Sequence, residues 1–258
     1  MIRLVRPIPI LAACLAAAAA CPAASVRVAQ VGGNWVVENR DLRVTVDGAT
    51  SALSVVEKAG RVTWTESATP ARQVFGNARA IERGLSFDTA FAAGGKSYPM
   101  ALKLTLPERG SDLRIEADVA DRGANIDTIP FLGPFVLDSR DAAIVVASYA
   151  NGHVYPADFE TMPRTRFTLG QMDMPWIGVC DLRKGHGYAI IAETPDDANF
   201  ELMAHERGGR KLWAPRIAWA PSMRTLRYAR RVLYHFAPRG GYVALAKRYR
   251  ACAREQGL

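Results

Sequence analysis

Hydrolysis of a glycosidic bond needs two carboxyl groups held about 5 to 10 Å apart across the sugar, and this chain offers Asp158, Glu160, Asp173 and the adjacent pair Asp196 and Asp197. Adjacent aspartates at the exit of an apolar run form turns more readily than catalytic dyads. Exchange of anomers needs instead a general acid and a general base on either side of the ring oxygen, commonly His and Glu. His153, His186, His205 and His235 are present, with Glu160, Glu193 and Glu201, and no spacing among them selects a pair. His186 sits in the turn-like run Lys184-Gly185-His186-Gly187, and His235 lies in an apolar stretch that reads as core. The sequence therefore assigns no catalytic residue.

Sugar recognition asks for less: an aromatic face to stack on a pyranose and polar groups for its hydroxyls. Trp176 with Gln171 and Asp173, beside a proline-containing segment carrying Tyr155 and Asp158, forms the expected carbohydrate-binding set. The competing reading places Trp176, Trp213 and Trp219 in the core, where large aromatics dominate. Metals, cofactors and nucleic acids find no support. No Cys/His spacing suggests zinc, and Gly208-Gly209-Arg210 and Gly240-Gly241 are turns without a nucleotide-binding context.

The chain has 258 residues, 49% hydrophobic and 22% charged, as an ordinary globular protein does. Residues 1–25 differ from the rest: Arg3 and Arg6 precede an Ala-rich apolar run, and Ala23-Ala24-Ser25 supplies small residues for cleavage. This reads as a signal peptide for secretion or delivery to the periplasm, too weakly apolar to span a membrane. Cys21 raises a lipoprotein alternative, against which Ala18 stands where a lipid-attachment motif carries Leu or Val. The net charge of +8 includes the two leader arginines, leaving about +6 as scattered arginines rather than a basic run. Beyond the leader only Cys180 and Cys252 remain, and sequence alone leaves their pairing open.

The elements that must position these residues are short strands. From Trp35 onward, segments of alternating apolar residues are divided by turn residues, as in an antiparallel all-β protein. Leu102-Leu104-Leu106 and Leu113-Ile115-Ala117-Val119 form an expected hairpin across Pro107–Asp112, and further strands are expected at 143–147, 176–180, 187–193, 199–205, 213–219 and 225–236. A dozen or more strands call for two large packed sheets. Residues 151–175, with Pro156, Pro163 and Pro175, read as one long loop. Helical periodicity is confined to residues 240–258, where Tyr242, Leu245, Ala246, Tyr249 and Ala253 share a face.

Taken together, the Val37–Asp47 opening with Leu53-Ser54-Val55-Val56 and Trp64, the run Met174–Val179, the run Gly187–Ala198, and the closing Pro238-Arg239-Gly240-Gly241-Tyr242 with Ala246-Lys247-Arg248-Tyr249-Arg250 resemble a known domain type. This is the galactose mutarotase-like β-super-sandwich that precedes the catalytic barrel in several bacterial glycoside hydrolases. The resemblance implies an all-β super-sandwich over residues 26–239 and a C-terminal connector helix over 240–258. In such enzymes the barrel supplies the catalytic carboxylates, and this sequence stops at Leu258. The implied role is a non-catalytic accessory or carbohydrate-recognition module, which positions a glycan, or a barrel partner through its helix. The alternatives are a stand-alone sugar-active enzyme, either an epimerase or a lyase, and a structural domain without ligand.

Overall fold

A computed structural model describes residues 26–67, 74–93, 95–123, 128–148, 151–221 and 227–257. The expected leader lies outside the described residues, as does part of the strand expected at 225–236. In chain order the strands are β1 (Arg27–Val31), β2 (Asn34–Glu38), β3 (Leu42–Val46), β4 (Leu53–Glu57), β5 (Val62–Thr65), β6 (Gly76–Ile81), β7 (Gly84–Ala93), β8 (Lys96–Thr105) and β9 (Asp112–Val119). There follow β10 (Ile129–Pro130), β11 (Ala142–Ser148), β12 (Asn151–Pro156), β13 (Arg166–Thr168), β14 (Met172–Asp181), β15 (Gly187–Ala192), β16 (Ala198–Arg207), β17 (Arg210–Trp219) and β18 (Arg230–Ala237), then helix α1 (Gly241–Glu255).

A nine-stranded antiparallel sheet in the order β12-β11-β14-β15-β18-β9-β8-β7-β6 forms one layer. Strand β18 pairs with β15 on one side and with β9 on the other, joining the two halves of the chain. Opposite this sheet lie a five-stranded meander, β1 to β5, and a four-stranded sheet, β10-β17-β16-β13. The second layer is thus divided where one sheet is expected. The division falls where β5 ends: Glu66 forms only an isolated bridge with Phe135, and its buried carboxylate accepts the backbone N–H groups of Leu53 at 2.9 Å and Gly133 at 2.5 Å.

Strand alternation sorts the large sheet into two faces. Tyr188, Ile190 and Ala192 of β15, with Val232, Tyr234 and Phe236 of β18, enter the main core between the layers. There Trp64 of the five-stranded sheet meets Tyr188 edge-on at 5.2 Å, and the Tyr188 hydroxyl donates to the Phe135 carbonyl at 2.8 Å. The intervening residues Ala189, Ile191, Leu233 and Ala237 point to the other face. With Val145, Trp176 and Cys180 they form a second apolar cluster, closed by Leu245 and Cys252 of α1. A strand buried on both faces reads as a continuous apolar run, and both β11 and β15 do so.

The segment expected to be one long loop contains β12, β13, a single 3₁₀ turn at Leu169–Gln171 and the start of β14. Strand β12 escapes a pattern reading because it is an edge of the large sheet and carries only a weak apolar alternation. Pro156 ends β12, and Pro175 falls where the β11–β14 register shifts between Val146 and Ser148. Proline is tolerated in a ladder at such irregular positions because no amide hydrogen is required there.

The helix forms where its periodicity predicts, but its buried stripe is rotated from the expected one. Leu245 and Cys252 are buried with Ala244 and Tyr249 beside them, whereas Tyr242 is 47% exposed and Ala246 faces outward. Gly240 at the N-cap takes φ 92°, a left-handed conformation that glycine adopts without strain, and so turns the chain from β18 back over the sheet. Gly178 permits the close seat: a Cβ there would lie 2.8 Å from Leu245 Cδ1 and 2.9 Å from the Tyr188 carbonyl oxygen.

Among the described residues Cys180 and Cys252 are both buried and form no disulfide. Burial pushes the Cys180 thiol up to about 11. In protein comprising residues 26–258, neither thiol is expected to react with a thiol reagent at pH 8 while the fold is intact, and both should titrate in denaturant. Fast reaction of one thiol in the native state would show that the helix opens readily.

Candidate functional site

The five residues expected to bind sugar do not converge. Trp176 lies in the cluster beneath α1, only 3% exposed, and stacks on Tyr249 with ring centroids 6.2 Å apart. Its face is covered, so it offers no open platform, and the core reading of this tryptophan is the one the structure supports. Tyr155 pairs with Ile144 across β12 and β11 and packs on the opposite face, against the main core, with His153 stacked beside it at 5.7 Å. Asp158 is exposed and lies 3.8 Å from Arg210. The Gln171 carboxamide oxygen accepts the Thr168 backbone N–H at 3.2 Å, and Asp173 is exposed at the start of β14. Tyr155 and Asp158 thus belong to the β12 edge, Trp176 to the helix-covered face.

The histidines and glutamates considered for acid–base work are also apart. His186 lies edge-on to Trp64 at 5.9 Å, and burial lowers its pKa, as it does that of His205. Glu201 accepts Arg216 Nε at 2.9 Å. Glu193 is held in a two-pronged contact with Arg114, whose Nε reaches its two oxygens at 2.9 and 2.8 Å and whose Nη2 reaches Oε1 at 2.7 Å.

A polar cluster does form, at the border between α1 and the uncovered half of the large sheet's outer face. Asp112, the first residue of β9, lies 2.8 Å from His235 Nδ1 of β18 and 2.9 Å from Arg248 Nη2 of α1. All three side chains are 15–17% exposed. Burial pushes the Asp112 carboxyl up, but the hydrogen bonds from His235 and Arg248 outweigh it and hold the group below the usual carboxylate range. Arg248 also lies 3.2 Å from Glu255. The assembly clamps α1 to β9 and β18, where the two halves of the large sheet meet, and it borders a cavity of about 360 Å³ between α1 and the β6–β7 turn.

The expected core placement of His235 is therefore corrected. Period-2 alternation carries the signal: with Tyr234 and Phe236 pointing into the core, His235 must point outward. Nothing local in the sequence links it to Asp112, 123 positions away. Among the described residues no group of three or more His, Cys, Asp or Glu is set to hold a metal ion, and no helix is long and apolar enough to cross a membrane.

No protein-family model and no curated protein matches this chain. Solved structures do. The chain is similar to the α-N-acetylgalactosaminidase NagBb from Bifidobacterium bifidum in its GalNAc complex, with a TM-score of 0.68 and 19% identity over 90% of this chain and 39% of that one. It therefore spans about two fifths of that enzyme. A galactose mutarotase related enzyme from Lactobacillus acidophilus is similar at a TM-score of 0.50 and 9% identity, over 79% of this chain and 97% of that one. A TPR-domain containing protein from Parabacteroides distasonis shares the fold at a TM-score of 0.53 and 8% identity, over 80% and 47%. These likenesses show the fold: a mutarotase-like β-super-sandwich, of the kind that makes up part of a glycoside hydrolase chain.

Proposed function

We propose that this chain is the sandwich module of a carbohydrate-active protein, acting beside a catalytic domain rather than supplying the catalytic pair. The observation that carries this reading is the extent of the fold match, nearly the whole of this chain against a minor part of a glycosidase. The surface supports it. Met174, Tyr242, Val243, Ala246, Tyr249 and Ala253 line an apolar groove along α1, and Met174, Tyr242 and Val243 are each more than a third exposed. An apolar stripe of this kind marks an interaction surface, and its partner under this reading is the catalytic barrel. Tyr155 and Asp158 remain the residues proposed to meet a glycan, at the β12 edge. Export through the 1–25 leader belongs to the same proposal.

A second reading, a stand-alone sugar epimerase, draws on the His235–Asp112 contact beside a cavity. An aspartate that orients a histidine is a familiar acid–base arrangement, and this fold accounts for nearly all of the mutarotase related chain. NMR exchange spectroscopy on mixed anomers of galactose, glucose and N-acetylgalactosamine, with residues 26–258, separates the two. The accessory reading expects exchange at the buffer rate, and Tyr155→Ala to weaken any oligosaccharide binding seen by calorimetry. Accelerated exchange that is lost in His235→Gln would replace it with the epimerase reading.

A further inference from the structure

We propose that the cavity between α1 and the β6–β7 turn binds the anionic group of an acidic sugar, a carboxylate or a sulfate ester. The cavity, about 360 Å³, has the volume of a small-molecule site. Four arginines, Arg83, Arg109, Arg114 and Arg248, line it with three carboxylate residues, Glu82, Asp112 and Glu255. Two of the arginines are committed: Arg114 to Glu193, and Arg248 to Asp112 and Glu255. The other two are available. Arg109 is exposed and has no ion-pair partner among the described residues, while Arg83 has only a 4.0 Å contact with Glu82, itself 92% exposed. Guanidinium forks match the paired oxygens of carboxylate and sulfate, and so prefer such ligands to a neutral hydroxyl.

The backbone at Arg83 is also distinctive. Arg83 holds φ 59°, a left-handed conformation in which a side-chain-bearing residue is strained and glycine is not. Arg83 is also among the residues that line the cavity. The tight β6–β7 turn sets this conformation, since Ile81 pairs with Gly84 and only Glu82 and Arg83 lie between them, and Ser51, Arg61 and Asn77 also take positive φ. Arg114, held by Glu193, and Arg248, held by Asp112 and Glu255, line the cavity together with the uncommitted Arg83 and Arg109. The sugar class rests on the carbohydrate reading above, whereas the anion preference rests on these arginines alone.

The test is calorimetry of residues 26–258 with galacturonate, galactose 6-sulfate, galactose, free sulfate and citrate. One or both acidic sugars should bind, and galactose should not; which of the two binds more tightly identifies carboxylate or sulfate as the group recognised. Arg109→Gln should weaken that binding about tenfold, the worth of one charge-assisted hydrogen bond, and binding should weaken as salt rises. Arg83→Gly should weaken it similarly while leaving the melting temperature unchanged or higher, because it removes backbone strain. Equal affinity for galactose would overturn the anion preference but leave the carbohydrate reading in place. Sulfate or citrate binding as tightly as the acidic sugars would overturn the sugar assignment. Failure of every ligand to bind, or full affinity in Arg109→Gln and Arg83→Gly, would remove the site.

Discussion

Trp176→Ala is expected to lower the free energy of unfolding by about 3 kcal/mol, because it empties a tryptophan-sized space between the large sheet and α1. The loss stands at the lower end for such a truncation, since the indole Nε1 is buried without a hydrogen-bond partner among the described residues and its removal recovers part of the cost. Trp176→Phe keeps a ring against Tyr249 and discards the unpartnered N–H, so it should stay within about 1 kcal/mol of the parent. Urea denaturation of the parent and both variants checks the pair. Sugar binding that vanished in Trp176→Ala with the denaturation midpoint unmoved would contradict the covered position of this side chain.

Asp112→Ala is the second large effect. It leaves Arg248 half-enclosed without its main anion and His235 without its partner, and breaking a largely buried pair from one side costs about 3 kcal/mol. Asp112→Asn retains the shape and isolates the charge, with a smaller loss. The folded-state pKa of Asp112 is lowered, so the stability it contributes is fully present above its unfolded value near pH 4 and is lost as pH falls through the lowered folded value. The unfolding free energy of the parent should therefore drop as pH falls below about 4 by an increment that Asp112→Asn lacks. Equal acid sensitivity in the two proteins would assign the drop to other carboxylates.

The architecture was legible wherever strands alternate. Leu102 to Leu106 and Leu113 to Val119 form the predicted hairpin partners, and the all-β super-sandwich with a C-terminal helix is what the structure shows. Legibility failed at β12, because an edge strand has one neighbour and needs little apolar alternation. It failed again in the phase of the helix stripe. Helical spacing alone places Tyr242 and Ala246 with Leu245, but Cys252 serves as a buried apolar residue and Arg248 is drawn to Asp112, which turns the helix about its axis. The residues of the expected sugar-binding set are spread over two faces for a third reason. Closeness in sequence between Gln171, Asp173 and Trp176 does not fix the face a side chain takes, and Tyr155 belongs to β12, separated from β14 by β11, and takes the opposite face. Conversely, Asp112, His235 and Arg248 come together only through the pairing of β9 with β18 and the return of α1, which no local pattern encodes.

The join between β9 and β18 has a kinetic consequence. Asp112 and His235 are 123 positions apart, yet they sit opposite one another in the ladder that joins β9 to β18. Closing so long a loop carries a large entropic cost before its contacts form, and non-local pairing of this kind slows folding. During synthesis, strands β6 to β9 must wait with the β9 edge unpaired until residues 230–237 emerge, more than a hundred positions later. The interval between the two is when this protein is most exposed to mispairing with another copy of itself, through the very edge that β18 later seals.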